Sequence, residues 1–247
     1  MSEIAHTAIA AKTRIEIDAE QTFFQGCIDE WTFDLMRTYN RPPNITSNGP
    51  PIFNTFQAYL KSTPERITKM LKRAKEERCE VGIKLVRGAY IASEQRALIH
   101  DTKAETDAAY DGLVEHLVRR TLPGMKKEEY PPLKLFVAGH NEVSVKKAIA
   151  LEKEMRGSGS GTRLEYGQIQ GMADELSCSL LQMGRLAEKG GLVPRAYKAT
   201  VWGSTQECMQ YLVRRAVENK AATLRTKEWR VGAKNEMWRR VRVTFGR

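Results

Sequence analysis

Short runs of alternating apolar residues recur along the chain, each followed by a stretch with apolar positions three and four residues apart. The first spacing predicts strands and the second amphipathic helices. RIEIDAE (14–20) reads as a strand and QTFFQGCIDEWTFDLMRTYN (21–40) as a helix. A Pro/Gly/Asn-rich loop (41–51) leads to a strand in PIFNTFQAYL (51–60) and a helix at 63–79, with Thr63 as its N-cap and Pro64 in its first turn. The pattern repeats as strand 81–90 and helix 100–122, strand 131–141 and helix 144–157, strand 163–172 and helix 173–191, strand 196–202 and helix 205–226. Six β–α units in strict alternation predict a parallel sheet with right-handed crossovers. The last helix carries two stripes. Met209, Leu212, Val213 and Ala216 form an apolar face, and Tyr211, Arg214, Arg215 and Glu218 share another. The second stripe reads either as solvated surface or as a two-arginine clamp for a carboxylate or phosphate, closed by a tyrosine.

A (β/α)₈ barrel needs eight such units in about 250 residues, whereas an open doubly wound sheet needs fewer. The second alternative lacks its usual chemistry, because neither GxGxxG nor a phosphate-binding loop is present. The sequence of 247 residues, 41% hydrophobic and 28% charged, suffices for one large core. The expected division is an N-terminal tail (1–13), a barrel domain (14–226) and a basic C-terminal tail (227–247), with GSGSG (157–161) as a short flexible turn. No apolar run approaches membrane-spanning length. The N-terminus matches neither a secretory signal nor a transit peptide. The four cysteines are scattered without CxxC or Cys/His clustering, which argues against zinc and disulfide frameworks. A net charge of +10 raises nucleic-acid binding as a possibility. The charge concentrates only at the C-terminus and no recognition motif accompanies it, so acidic small molecules fit as well.

Active sites of α/β barrels sit at the C-terminal ends of the strands. The polar residues expected there are Asp18 and Glu20, Asn54 and Gln57, Lys84 and Arg87, His140 and Asn141, Gln168 and Gln170, and Lys198. His140 has no nucleophile signature near it, and His6, His100 and His116 read as solvated. The set is rich in amide and cationic donors and poor in acid–base machinery. Such donors suit a cofactor that performs the chemistry while the protein orients it.

KLVRGAY (84–90) followed by Glu94, with IDAEQTFFQ (17–25), FNTFQAYL (53–60), GHN (139–141), YGQIQGM (166–172) and YLVRRAVEN (211–219), resembles FAD-dependent proline dehydrogenase of the eukaryotic mitochondrial type. The resemblance covers roughly residues 14–222. It implies a distorted (β/α)₈ barrel with noncovalent FAD at the strand ends. L-proline would pass a C5 hydride to flavin N5, giving Δ1-pyrroline-5-carboxylate, and electrons would continue to a membrane quinone. Location at the mitochondrial inner membrane, matrix side, is implied in the same way. Arg214 and Arg215 match the pair that binds the proline carboxylate, and Tyr211 the tyrosine over the proline ring. Leu85 matches a leucine at the substrate site. Lys84 matches the cation near flavin N5, and Asp18 an aspartate supporting the pocket. Val86, Arg87, Gly88 and Ala89 match the stretch lining the flavin; Gln57, His140, Asn141, Gln168 and Glu218 match further cofactor-side positions. No metal and no nucleic acid are implied.

Two departures from the family pattern stand out. YKATVWG (197–203) replaces YKYxPYG, so Ala199 stands where a pocket tyrosine is expected. The family has further strands upstream of IDAE, one with a lysine that pairs with the aspartate. The expectation is therefore an incomplete barrel in an N-terminally truncated chain, with Asp18 lacking its partner. The alternative function is a truncated, non-catalytic paralogue.

Overall fold

The computed structural model describes residues 1–157, 164–187, 191–218 and 226–245. Along the chain run α1 (Ser2–Ala10), β1 (Ile15–Ile17), α2 (Thr22–Tyr39), β2 (Ile52–Gln57), α3 (Thr63–Glu77), β3 (Val81–Val86), α4 (Lys103–Arg119), β4 (Leu133–Ala138), α5 (Glu142–Gly157), β5 (Leu164–Ile169), α6 (Asp174–Leu186), β6 (Arg195–Ala199), α7 (Thr205–Glu218) and α8 (Thr226–Phe245). The predicted alternation holds, with most boundaries within a few residues; the predicted ends of the last two helices reach into 188–190 and 219–225, which lie outside the described residues. The GSGSG turn falls largely outside the described residues. The chain divides into two units, Met1–Gly167 and Gln168–Arg247.

In the first unit, β1 to β5 pair in parallel and in chain order. Side chains alternate between the two sheet faces, and contacts identify each face. Asn54 reaches Asp29 of α2 at 3.0 Å, and the Arg66 guanidinium of α3 lies over the Phe56 ring at 5.4 Å. Asn54 and Phe56 therefore face the helices, and Phe53, Thr55 and Gln57 face the interior.

The interior is plugged at the N-terminal ends of the strands. The Arg14 guanidinium lies 4.8 Å from the Phe53 ring centre and 4.9 Å from that of Phe136. It donates to Glu16 at 2.9 Å and also bonds Glu165, a fully buried carboxylate that Lys134 approaches at 3.2 Å. Burial alone would raise the Glu165 pKa, but the bonds and charges of Arg14 and Lys134 outweigh it and hold the carboxyl below the ordinary glutamate range. Two glycines make room for the plug. A Cβ at Gly82 would lie 2.5 Å from the Phe53 ring, and one at Gly167 2.3 Å from the Phe136 ring. Toward the C-terminal ends of the strands the packing loosens on β3, where Lys84 and Val86 are half-buried.

Three local readings change. Residues 2–10, expected to be tail, form α1 with Ala5 and Ala8 buried, and His6 is not merely solvated, since its Nε2 lies 3.2 Å from the Tyr39 hydroxyl. Thr63 does not cap α3. The cap position is Ser62, and the buried Thr63 hydroxyl donates to the Gln57 carbonyl at 2.6 Å.

In the second unit, β6 follows β5 in strand order, and Gln170 N–H donates to the Ala199 carbonyl at 2.9 Å. Leu176, Ser177 and Leu180 are the buried side of α6. The basic segment expected as a tail is helical as α8.

Candidate active site

In the first unit the rim is built where β1, β2 and β3 end. Lys84 Nζ donates to Asp18 Oδ1 at 2.6 Å and lies 3.7 Å from Glu16. Asp18, which sequence reasoning leaves without its lysine, thus takes Lys84 as partner. The Asp18 side chain is 77% exposed and that of Lys84 18%, so the cation is the sheltered member of the pair.

Gln57 is buried at the end of β2 and is held by backbone on both sides. Its amide nitrogen donates to the Glu20 carbonyl at 2.9 Å, and its amide oxygen accepts from Ala89 N–H at 3.0 Å. One side chain thereby joins the segment after β1 to the segment after β3. Tyr90 strengthens the junction from above, with its hydroxyl bonded to the Glu20 carboxylate. Gly88 permits the turn between them. Its φ is +148°, and a Cβ would meet the Tyr59 ring at 2.5 Å. The aromatic ring that glycine admits here belongs to the protein itself. Burial, followed by the nearby Glu94 charge, pushes the Tyr59 hydroxyl up to about 12.

Several residues expected at the ligand face elsewhere. Leu85 is fully buried and alternates with Lys84 and Val86, which puts its side chain on the helix side of β3. Arg87 also turns to the helices. Its Nε donates to Asp107 at 2.6 Å, its Nη2 to Ser144 at 2.7 Å, and its guanidinium stacks 4.3 Å above the buried Tyr110 ring. Although burial raises the Asp107 pKa, hydrogen bonds from Lys103 and Arg87 outweigh it and leave it lowered. Tyr110 in turn donates to the Ala138 carbonyl at 3.0 Å, so Arg87 fixes β3 and β4 to α4 and α5. Asn141 caps α5, with its Oδ1 accepting from Val143 N–H at 3.0 Å. The sequence contained that signal, an asparagine immediately before a helical run. His140 is half-buried at the end of β4.

Gln168 and Lys198 belong to the second unit. Gln168 is buried and accepts from the Ser177 hydroxyl of α6 at 2.9 Å. Lys198 donates to the Met172 carbonyl at 2.7 Å and to Asp174 at 2.6 Å, holding the start of α6. On α7 the half-buried Arg215 guanidinium lies 5.5 Å from the ring centre of half-buried Tyr211. The side chains of Arg214 and Glu218 lie outside the described residues. The stripe read as the helix's apolar face is solvent-facing, with Met209 at 53%, Leu212 at 51% and Val213 at 55% exposure. The Tyr211–Arg215 stripe is the more sheltered one.

Sequence reasoning assigned no role to Gln25, Tyr59 or Glu94, and none to the Arg14–Lys134–Glu165 plug. Gln25, Tyr59 and Glu94 lie within or just after sequence motifs, but their bonding partners do not show in the spacing. The plug residues are partners across strands, and no local spacing announces them.

A parallel α/β sheet closed at one end, with a sheltered cation and a cluster of loop junctions at the other, defines a barrel-type enzyme scaffold. A family model described as proline dehydrogenase matches residues 1–228. The chain belongs to the proline dehydrogenase family. It is 35% identical over 235 residues to the probable mitochondrial proline dehydrogenase of Schizosaccharomyces pombe, covering 91% of this chain and 46% of that protein. Identity to human proline dehydrogenase 1, mitochondrial, is 32%, over 98% of this chain and 38% of that protein. Rat hydroxyproline dehydrogenase is 30% identical over 98% of this chain and 51% of its own length. The chain thus spans about half the length, or less, of these curated relatives. Proline utilization A (PutA) from Bdellovibrio bacteriovorus, inactivated by N-propargylglycine, superposes with a TM-score of 0.67 at 21% identity, over 88% of this chain and 21% of that one. That likeness establishes the fold as the PutA barrel type.

Proposed function

We propose that this chain oxidises L-proline to Δ1-pyrroline-5-carboxylate with FAD as hydride acceptor, in the mitochondrion, with a quinone as onward electron acceptor at the inner membrane. The observation that carries the reading is the sheltered Lys84 cation on the interior face of β3, at the strand end where barrel chemistry is done. The donor set there fits a flavin edge: a fixed cation beside the half-buried Val86 side chain, on a rim whose backbone is held by Gln57. When bound, FAD supplies the two-electron chemistry. Lys84 would offer positive charge where the reduced ring becomes anionic. Arg214 and Arg215 would hold the substrate carboxylate, because guanidinium groups match its planar geometry, and Tyr211 would wall the ring. Gln57, Arg87 and Asn141 act through the backbone and helices they fix. The names of the mitochondrial relatives support the location.

The test is a purified full chain. It should be yellow, and its flavin absorbance should bleach on anaerobic addition of L-proline. Arg215→Met should raise the proline KM by about tenfold or more, the scale of a lost charge-assisted hydrogen bond, while leaving flavin content intact. A colourless chain, or one whose flavin ignores proline, would sink the reading.

A second reading concerns the substrate. Ala199 is small and exposed at the end of β6, and one group of relatives is named hydroxyproline dehydrogenase. A pocket lacking the expected tyrosine accommodates a ring hydroxyl. Comparing proline and hydroxyproline turnover in the parent and in Ala199→Tyr decides it. Unchanged preference assigns the selection to other residues.

A further inference from the structure

Helix α2 begins without a cap of its own. Gln21 at the cap position makes no side-chain hydrogen bond to the helix, and its first turn holds no acidic residue. The exposed N–H groups of a helix start require acceptors, and the positive end of the helix dipole favours a carboxylate. Here the acceptor comes from 72 residues away: Glu94 Oε2 accepts from Thr22 N–H at 3.0 Å. Its neighbour Ser93 accepts from the Gln21 amide at 2.7 Å, and Tyr90 bonds Glu20. The segment so held, residues 18–22, presents Asp18 to Lys84. On the other side it is anchored by Gln57 and by Gln25, which accepts from Glu20 N–H at 2.7 Å.

We infer that Glu94 is a positioning residue, capping α2 from the loop after β3 and thereby fixing the Asp18 segment against Lys84. The two halves of the pair then stay in register because the strand that carries the lysine also leads into the cap for the helix that follows the aspartate. Loss of the carboxylate frees residues 18–25 while the strands stay intact. The functional meaning rests on the proposed catalytic reading of the rim, but the contact does not, so the test uses a readout independent of activity.

Hydrogen exchange of the full-length chain, resolved by peptide, is that readout. In Glu94→Ala, exchange across residues 18–25 should quicken by about fivefold, the factor corresponding to one lost N-cap contact. Exchange across 81–86 and 133–138 should stay unchanged. Glu94→Gln keeps an acceptor oxygen and should retain most of the protection. Gln21→Asp in the Glu94→Ala background gives α2 a cap of its own and should restore it. The inference is overturned if residues 18–25 exchange as in the parent, if both strands quicken equally, or if neither Glu94→Gln nor the added Gln21→Asp retains or restores protection. A parent that fails to oxidise proline refutes the proposed function and leaves the exchange result standing. An active parent with unaltered exchange in Glu94→Ala refutes only the positioning role.

Discussion

Gly88 and Glu165 show two ways in which a single residue is fixed by its surroundings. At Gly88 both backbone and space are constrained, by a φ of +148° and by the Tyr59 ring 2.5 Å from any Cβ. Gly88→Ala should lower the unfolding free energy by about 1–3 kcal/mol, the usual range for a strained backbone position, as measured by urea denaturation. Glu165 is fixed by charge. Its folded pKa is depressed, so the stability it contributes is present above the unfolded value and is lost as pH falls through the folded one. Glu165→Gln should therefore destabilise strongly at pH 7 and progressively less as pH falls below the ordinary glutamate value of 4.5. A pH-independent difference would refute the assignment. The neighbouring Glu152 runs the other way. Burial raises it despite bonds from Leu164 N–H and the Tyr166 hydroxyl, so it lowers stability as pH rises through its folded pKa. The sequence exposed residues of the first kind, because a glycine ending a strand is visible in one dimension. It could not expose the second, since Arg14, Lys134 and Glu165 sit on three separate β-units and meet only when the strands align. The surroundings of Leu85 and Arg87 were hidden for the same reason: a motif gives their spacing, but strand parity decides which face their side chains meet.

At the scale of elements, helix ends are better determined than helix faces. α3 and α4 both stop at a residue in left-handed conformation, Arg78 with φ 56° and Arg120 with φ 60°. This conformation disfavours every residue with a Cβ. Arg78→Gly and Arg120→Gly should each raise stability by about 0.5–1 kcal/mol, because glycine enters that conformation freely. Thermal unfolding of the single and double variants checks the magnitude and its additivity. The order and period of strands and helices were readable from apolar spacing alone, since alternation and the 3.6-residue repeat follow from backbone geometry. Which stripe of α7 is sheltered was not readable. Apolar composition predicts the Met209–Leu212–Val213 face as the buried one, yet Tyr211 and Arg215 are the less exposed. Periodicity gives two faces and does not say which meets protein.

For the whole molecule, the two units can be followed through their own thiols. Cys79 is buried in the first unit, and burial also raises its pKa. Cys178 is exposed in the second. A thiol reagent should label Cys27 and Cys178 in the native protein and reach Cys79 only when denaturant opens the first unit, which mass spectrometry of labelled peptides resolves. Rapid native labelling of Cys79 would contradict the described core. The parallel α/β class was legible from six repeats of one pattern. The closed lower end was not, because it depends on two glycines making space for rings on neighbouring strands. Net charge belongs to this scale too. At +10 the chain favours the approach of anions, but Lys84 already has a counter-ion in Asp18. That carboxylate is mostly hydrated while its lysine is sheltered. Asp18 therefore neutralises the lysine while keeping most of its own water. The desolvation of forming this pair thus falls on the cation alone, and Glu16 at 3.7 Å adds a second negative charge to offset it.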